Sequence, residues 1–544
     1  MAEFFQAAPV ARNRFRSDPA LRYALERALP ADVFADVAPG IDRFGERCAR
    51  ELPALAERAE QTPPRHVAYD AWGARVDRIE VDPAFDRLVR IGQEEGLVAV
   101  AYEGAFGRIV QAGLANLYDP VSAVATCPLV MTDAAATALK THDPVLWRRY
   151  GRRLTAREDA ITSGQWMTET AGGSDVSQAA TMAVPDSDGS FRLFGTKWFT
   201  SATSADIAMV LARPEGAEAG AAGLSLFLLE LRRPDGGWNN MSVRRLKEKM
   251  GTKAMPTAEL ELAGASAVPV GGLGRGVSKV ASMLNIARVW AAYAGPASVG
   301  HLLGLARDYA FCRQVFGRNL AALPMHRAWL ARIAAEYEAM LALCFETASA
   351  IGRAEHGNAE GLARLLAPLT KYACARGGIW GSSELIESFG GAGYVEDTGL
   401  PRIFRNAHVH VIWEGTSSVL AQDVLRALRS RALAEEWLAD MSRRLAESTN
   451  PELQWVKPRI AQALEAMRPL VLEPDERDGR RLASGMARVT QATLLMEAAA
   501  WRIEKKDDRS ALIATEMVTR EALVPPPTAD MDLDALAFAD FGRA

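Results

Sequence analysis

Glu414 is the side chain in this sequence best suited to move a proton. It sits in the run Val411-Ile412-Trp413-Glu414-Gly415-Thr416-Ser417-Ser418. The apolar run before it and the indole beside it predict a partly desolvated carboxylate, and desolvation raises a carboxyl pKa and makes it a stronger base. On spacing alone a second role competes, that of an acid at a helix N-terminus, where the macrodipole favours negative charge. Two other segments suit ligand binding. In Met167-Thr168-Glu169-Thr170-Ala171-Gly172-Gly173-Ser174-Asp175-Val176, a Gly-Gly pair flanked by hydroxyls lets backbone approach a ligand and offers amide donors to a phosphate or a heterocycle edge. Taken alone, a tight turn capped by Ser174 and Asp175 explains it as well. The segment has neither the GxGxxG pattern after a strand nor the Lys of a P-loop. In Gly195-Thr196-Lys197-Trp198-Phe199-Thr200-Ser201, rings beside small hydroxyls could cover a flat cofactor, or could form an ordinary amphipathic strand.

These segments need elements to hold them. Residues 1–155 read mostly as helix, with three- and four-residue apolar spacing over 32–55 and 85–114. From about 160 the texture changes to short apolar runs (191–194, 205–212, 224–231) separated by turns at Asp186-Ser187-Asp188-Gly189 and Pro234-Asp235-Gly236-Gly237. That punctuation predicts a small antiparallel β unit. The glycine-rich run 271–276 reads as a linker into a helix. After it, 277–311, 325–351 and 359–387 predict long helices of a bundle, and another helical stretch follows residue 430. The acidic segment 530–544 reads as frayed. The fold class expected is α+β: a helical unit over 1–158, a barrel-like β unit over 159–275, a helical bundle over 276–432 and an appended helical block over 433–544.

Composition excludes more than it selects. The chain has 544 residues, a formal charge of −4 and no basic excess to suggest nucleic acid. Five scattered cysteines without a CxxC pair fit a reducing compartment, and the seven histidines form no metal motif. No cleavable leader and no apolar run long enough to span a membrane is visible, so the expectation is a cytoplasmic protein without a metal.

Taken in order, the segments resemble the acyl-CoA dehydrogenase superfamily from about residue 120 to 430. The resemblance rests on MTETAGGSDV (167–176), GTKWFTS (195–201), KMGTKAMPTAEL (249–260), Arg288 in NIARVW, RQVFGR (313–318), ESFGGAGY (387–394) and WEGTSSV (413–419). The extended N-terminus, the Thr126-Cys127-Pro128 segment, PRIFRNAHVHVIWEGT and about a hundred further residues are most similar to the long AidB-like branch. The resemblance implies FAD between the β unit and the bundle, and a homo-oligomer, a tetramer in the family's manner of pairing dimers. It implies that Met167, Thr168 and Ser201 lie beside the flavin ring, with Phe199 covering one side. Gly173 and Ser174 meet the pyrophosphate and the thioester end of the substrate. Arg313, Phe316 and Gly391 reach FAD from a neighbouring subunit, and Thr416 and Ser418 lie on the adenosine side. Glu414 takes the place of the catalytic base, and Arg288, Trp413 and Gly415 that of substrate contacts. The implied reaction removes an α-proton and a β-hydride from a medium- or long-chain acyl-CoA and passes electrons to an electron-transferring flavoprotein. Phe199 stands where many members have Trp, Trp413 where they have Tyr, and Pro324 and Glu387 where Gln is frequent.

The same branch implies an alternative, a flavoprotein associated with DNA and protection against alkylation. Phosphate binding needs a surplus of Lys and Arg. Residues 431–544 instead hold 16 Lys plus Arg against 20 Asp plus Glu, a net of −4 equal to the charge of the whole chain. Local basic patches exist there, such as Arg477, Arg480, Arg481 and Arg488, which a solvated helix face explains at least as well. A passive acyl-CoA binder, the third possibility, has no need of Glu414.

Overall fold

The computed structural model describes residues 7–357, 360–527 and 537. The segment 530–544 expected to fray lies outside them, apart from Ala537. Six helices of ten residues or longer among the described residues build the N-terminal part: α1 (Pro19–Ala28), α2 (Ala31–Arg50), α3 (Leu52–Gln61), α4 (Pro83–Glu94), α5 (Gly107–Tyr118) and α6 (Thr126–His142). Their starts follow from local chemistry. Asp18 and Asp82 accept hydrogen bonds from the amides of Leu21 and Ala84, and Pro19 and Pro83 fill the first helical position. A hairpin, β1 (Arg65–Tyr69) and β2 (Arg75–Glu80), interrupts them. Its half-exposed residues lack the alternation that marks a strand in sequence, so the expectation of helix alone missed it.

The middle strands are β3 (Ser163–Trp166), β4 (Met182–Pro185), β5 (Phe191–Ser201), β6 (Ile207–Pro214), β7 (Ser225–Glu230), β8 (Met241–Leu246) and β9 (Thr257–Pro269). The pairing β6–β4–β5–β9–β7–β6 closes on itself, with β3 added beside β6 and β8 beside β9. This is the barrel-like unit expected, but it is mixed. β3 and β4 both pair with β6 in parallel, because long connections, not tight turns, join them to it.

The bundle consists of α7 (Gly276–Cys312), a short hairpin of β10 (Gln314–Val315) and β11 (Arg318–Asn319), then α8 (Pro324–Glu355), α9 (Glu360–Glu387), α10 (Leu400–Ala407) and α11 (Ser417–Leu428). α7 and α9 cross at glycine. A Cβ on Gly295 would lie 2.1 Å from the Cys374 carbonyl oxygen, and one on Gly378 would lie 2.8 Å from Gly295 Cα. Backbone cannot yield as a side-chain tip can, so Gly295→Ala is expected to lower unfolding free energy by about 1–3 kcal/mol. A urea melt showing wild-type stability would contradict this contact.

The last helices, α12 (Arg431–Glu447), α13 (Lys457–Leu472), α14 (Gly479–Lys506) and α15 (Ser510–Thr519), are not a separate globule. Trp437, Met467 and Met486 share one apolar cluster with Leu365 and Leu369 of α9 and with Leu420 and Val424 of α11. In the basic cluster of this block, Arg488 grips Glu336 of α8 at 2.6 and 2.9 Å, Arg477 pairs with Asp475 at 2.8 Å, and Arg481 with Asp478 at 3.5 Å. No helix among the described residues is long and apolar enough to cross a membrane.

Candidate active site

The site is built where β3 of the barrel meets the turn between α10 and α11. Glu414 occupies that turn with φ 55°, followed by Gly415 at φ 103°. Gly415 suits this conformation, whereas a non-glycine residue in the left-handed region costs about 1–2 kcal/mol and persists only where its surroundings fix it. Two buried cations do so. Arg288 of α7 donates from Nε to the Glu414 carbonyl at 3.2 Å, and Lys371 of α9 donates from Nζ to the Gly415 carbonyl. Arg288 is held in turn by Asp423 of α11 at 2.7 Å, and Arg364 of α9 clasps the same carboxylate at 2.6 and 2.9 Å.

The Glu414 carboxylate meets Gln165 of β3, whose Nε2 lies 3.5 Å from Oε2. Glu414 is half-buried, but the protein packed around its carboxyl removes enough water to raise its pKa, against the opposing pull of Lys371 and Arg288. Trp413 packs on the main apolar cluster, its ring edge-on to His410 at 6.1 Å.

Met167 and Thr168 continue directly from β3, which places them beside Gln165. A bulge between Lys197 and Thr200 interrupts the pairing of β5 with β9, and the freed Trp198 amide donates to the Thr168 carbonyl at 3.0 Å. The bulge also leaves Phe199 48% exposed on the outer face, with Lys247 Nζ 4.6 Å from its ring centre. Ser201 closes this edge: its hydroxyl lies 3.2 Å from that of Thr257, and its carbonyl accepts from Trp166 Nε1 at 3.1 Å. Gly173 and Ser174 lie exposed on the loop after Thr168. That loop is stapled to the barrel by a buried ion pair, Lys197 Nζ to Glu169 Oε1 at 2.6 Å. Glu169 also accepts from the Ala180 amide at 2.7 Å and the Thr181 hydroxyl at 2.6 Å.

Thr416 caps α11 without using its side chain on the helix, and Ser418, two residues on, is exposed. Met167, Thr168, Phe199, Ser201, Arg288, Trp413, Glu414, Gly415, Thr416 and Ser418 therefore belong to the region where barrel and bundle meet. Arg313, Phe316 and Gly391 do not. Twenty-five helical residues separate Arg288 from Arg313 along α7, roughly 37 Å at 1.5 Å per residue. Phe316 and Gly317, at φ 48° and 76°, form the two-residue tip between β10 and β11, and this tip leaves Phe316 94% exposed. Gly391 follows Phe389, which packs on Tyr309 near the end of α7 with ring centres 5.1 Å apart.

A flat, polar-edged group fits the region. The exposed Phe199 face, the open glycine loop and the uncapped hydroxyl of Thr416 surround it, and the buried Gln165 Oε1 has no hydrogen-bond partner among the described residues. Sequence reasoning missed Gln165, Lys371, Asp423 and Arg364. The one available signal was a lone lysine or aspartate within an apolar helical run, as in Pro368-Leu369-Thr370-Lys371-Tyr372-Ala373. No group of three or more potential metal ligands occurs among the described residues.

Comparison with known proteins identifies the family. Residues 6–159 match the adaptive response protein AidB N-terminal domain, 164–265 the acyl-CoA dehydrogenase middle domain and 274–429 the acyl-CoA dehydrogenase C-terminal domain. The chain is 36% identical over 534 residues to acyl-CoA dehydrogenase family member 11 of Caenorhabditis elegans, covering 91% of this chain and 85% of that protein. It belongs to the acyl-CoA dehydrogenase family. It is also 32% identical to the putative acyl-CoA dehydrogenase AidB of Escherichia coli over 79% of this chain and 80% of the relative. The crystal structure of Caenorhabditis elegans ACDH-11 in complex with C11-CoA superimposes with a TM-score of 0.94 at 33% identity, covering 99% of this chain and 98% of that one. The acyl-CoA dehydrogenase fold and the AidB-like branch read from the sequence are thereby established.

Proposed function

We propose that this acyl-CoA dehydrogenase family member oxidises the Cα–Cβ bond of a medium- or long-chain acyl-CoA, with Glu414 as the base. The observation that carries this reading is a partly desolvated carboxylate at the junction of barrel and bundle, on a turn whose carbonyls are held by two buried cations from neighbouring helices. Bound FAD would supply the hydride acceptor at its N5. Glu414 takes the α-proton on Oε1 or Oε2, and Gln165 keeps the carboxylate aimed. The Glu414 backbone amide is the protein donor placed for the charge that grows on the thioester oxygen, a role worth several kcal/mol in water-poor sites. Trp413 and the apolar wall behind it exclude water from the reacting carbons.

Met167, Thr168, Phe199 and Ser201 would hold the flavin ring. Gly173 and Ser174 would meet the pyrophosphate and thioester, and Thr416 and Ser418 the adenosine side. Arg313, Phe316 and Gly391, too far along the same chain, act on a second copy. This arrangement supports a homo-oligomer of paired dimers, and an electron-transferring flavoprotein is the acceptor in keeping with the chemistry. The C11-CoA complex of ACDH-11 supports the chain-length assignment. The nucleic-acid alternative gains no support, since three of the four clustered arginines are used in ion pairs.

Anaerobic titration of the yellow holoprotein with acyl-CoAs of graded length tests the reading. Flavin absorbance is expected to bleach most readily with chains near the eleven carbons of that ligand. Absence of bleaching with every length would overturn it.

A further inference from the structure

Lys371 is a fully buried lysine in the middle of α9, and the reaction as proposed assigns it nothing. Its ammonium donates to the carbonyl of Gly415, one residue beyond the carbonyl that Arg288 holds. Two successive peptide groups with left-handed φ are thus gripped from two different helices. We infer that Lys371 is a positioning residue, which locks the Glu414–Gly415 turn and supplies the nearest movable positive charge to the base. The inference rests on Glu414 being that base.

The alternatives for Lys371 are weaker. A lysine needed only for packing would be replaced by an apolar residue at lower cost, because an ammonium without water is expensive to bury. A lysine needed only as a counter-ion would take a carboxylate oxygen. Here it takes a carbonyl oxygen, which fixes backbone geometry, while Glu414 remains its principal electrostatic partner. The other charged or titratable groups facing this turn are Arg288 of α7, Asp423 of α11, His410 just before Trp413, and Cys127 of α6. Burial holds Cys127 as a thiol and His410 neutral, while Arg288 shares Asp423 with Arg364. Burial pushes Lys371 down to about 7, against the pull of Glu414, and Lys249, which faces Cys127, down to about 8.

The test uses Lys371→Met and Lys371→Arg holoproteins beside wild type and Glu414→Gln. Lys371→Met is expected to keep its flavin but to reduce it about 10²-fold more slowly, the loss typical of a reacting group displaced by about 1 Å. A second readout needs no turnover. A bound 3-oxoacyl-CoA has an acidic α-proton and cannot reduce the flavin, and its enolate gives long-wavelength absorbance against oxidised flavin. In Lys371→Met the pH at which that band appears is expected to move up, because the base loses a stabilising cation. Lys371→Arg is expected to return the band towards the wild-type pH. Wild-type band position and reduction rate in Lys371→Met would overturn the proposal. A Glu414→Gln protein that still forms the band and reduces its flavin normally would instead remove the base assignment, a failure the Lys371 variants cannot imitate.

Discussion

Glu414→Gln is expected to slow flavin reduction by acyl-CoA by about 10²–10⁴-fold, the usual range for loss of a positioned general base. The amide occupies the same space and keeps a partner for Gln165, and the turn is held through its carbonyls by Arg288 and Lys371, not through the side chain. Flavin content and melting temperature should therefore remain close to wild type, which separates a chemical loss from a structural one. In the wild type the base must be ionised to act, and burial raises its pKa above the ordinary 4.5. The reduction rate should accordingly rise with pH through a midpoint above the usual glutamate range. Rapid-mixing absorbance measurements across pH settle both points. A rate that is unchanged in Glu414→Gln, or independent of pH, would remove the carboxylate from the reaction.

The second large effect is expected at Lys197→Met. Lys197 and Glu169 are almost fully buried, and they hold the loop carrying Gly173 and Ser174 against the barrel. Burial raises the free energy of the Glu169 charge, but Lys197 and the hydrogen bonds from Thr181 and Ala180 more than compensate, leaving its carboxyl below the usual range. Removing only the ammonium leaves an uncompensated buried charge, a change that destabilises proteins by about 3–5 kcal/mol. Chemical denaturation should show that loss, and equilibrium dialysis should show weaker flavin retention as the loop is released. Adding Glu169→Gln to the same protein should recover part of the stability, since the orphaned charge is gone. A single variant as stable as wild type would show that the pair does not staple the loop.

Legibility in the sequence follows the range over which each interaction acts. Helical periodicity is local, so the reading over 277–311 falls within one residue of α7 at each end, and 325–351 lies wholly within α8. The strands over 191–194 and 224–231 were equally visible from the turns beside them. Parallel pairing of β3 and β4 with β6 was not, because it depends on connections that carry no turn signature. In the site, Glu414 could be picked out by its neighbours in the chain. Gln165 could not, being 249 residues away, and the grip of Lys371 on Gly415 spans 44 residues and ends on a carbonyl that has no residue identity to read. The resemblance to a family supplied the roles proposed for Arg313, Phe316 and Gly391, whereas periodicity would have left them as the end of a helix and two loops.

The shared apolar cluster of α12–α15 makes the last hundred residues a foundation and not an attachment. Tyr372, the neighbour of Lys371, is a member of that cluster, and its hydroxyl reaches the Arg480 carbonyl at 3.4 Å. Cut away, these helices would leave α9 and α11 with an oily wall in water along the side opposite the chemistry. The same two helices carry Lys371, Arg364 and Asp423, so the ground on which the turn stands is laid by the helices that follow it in the chain.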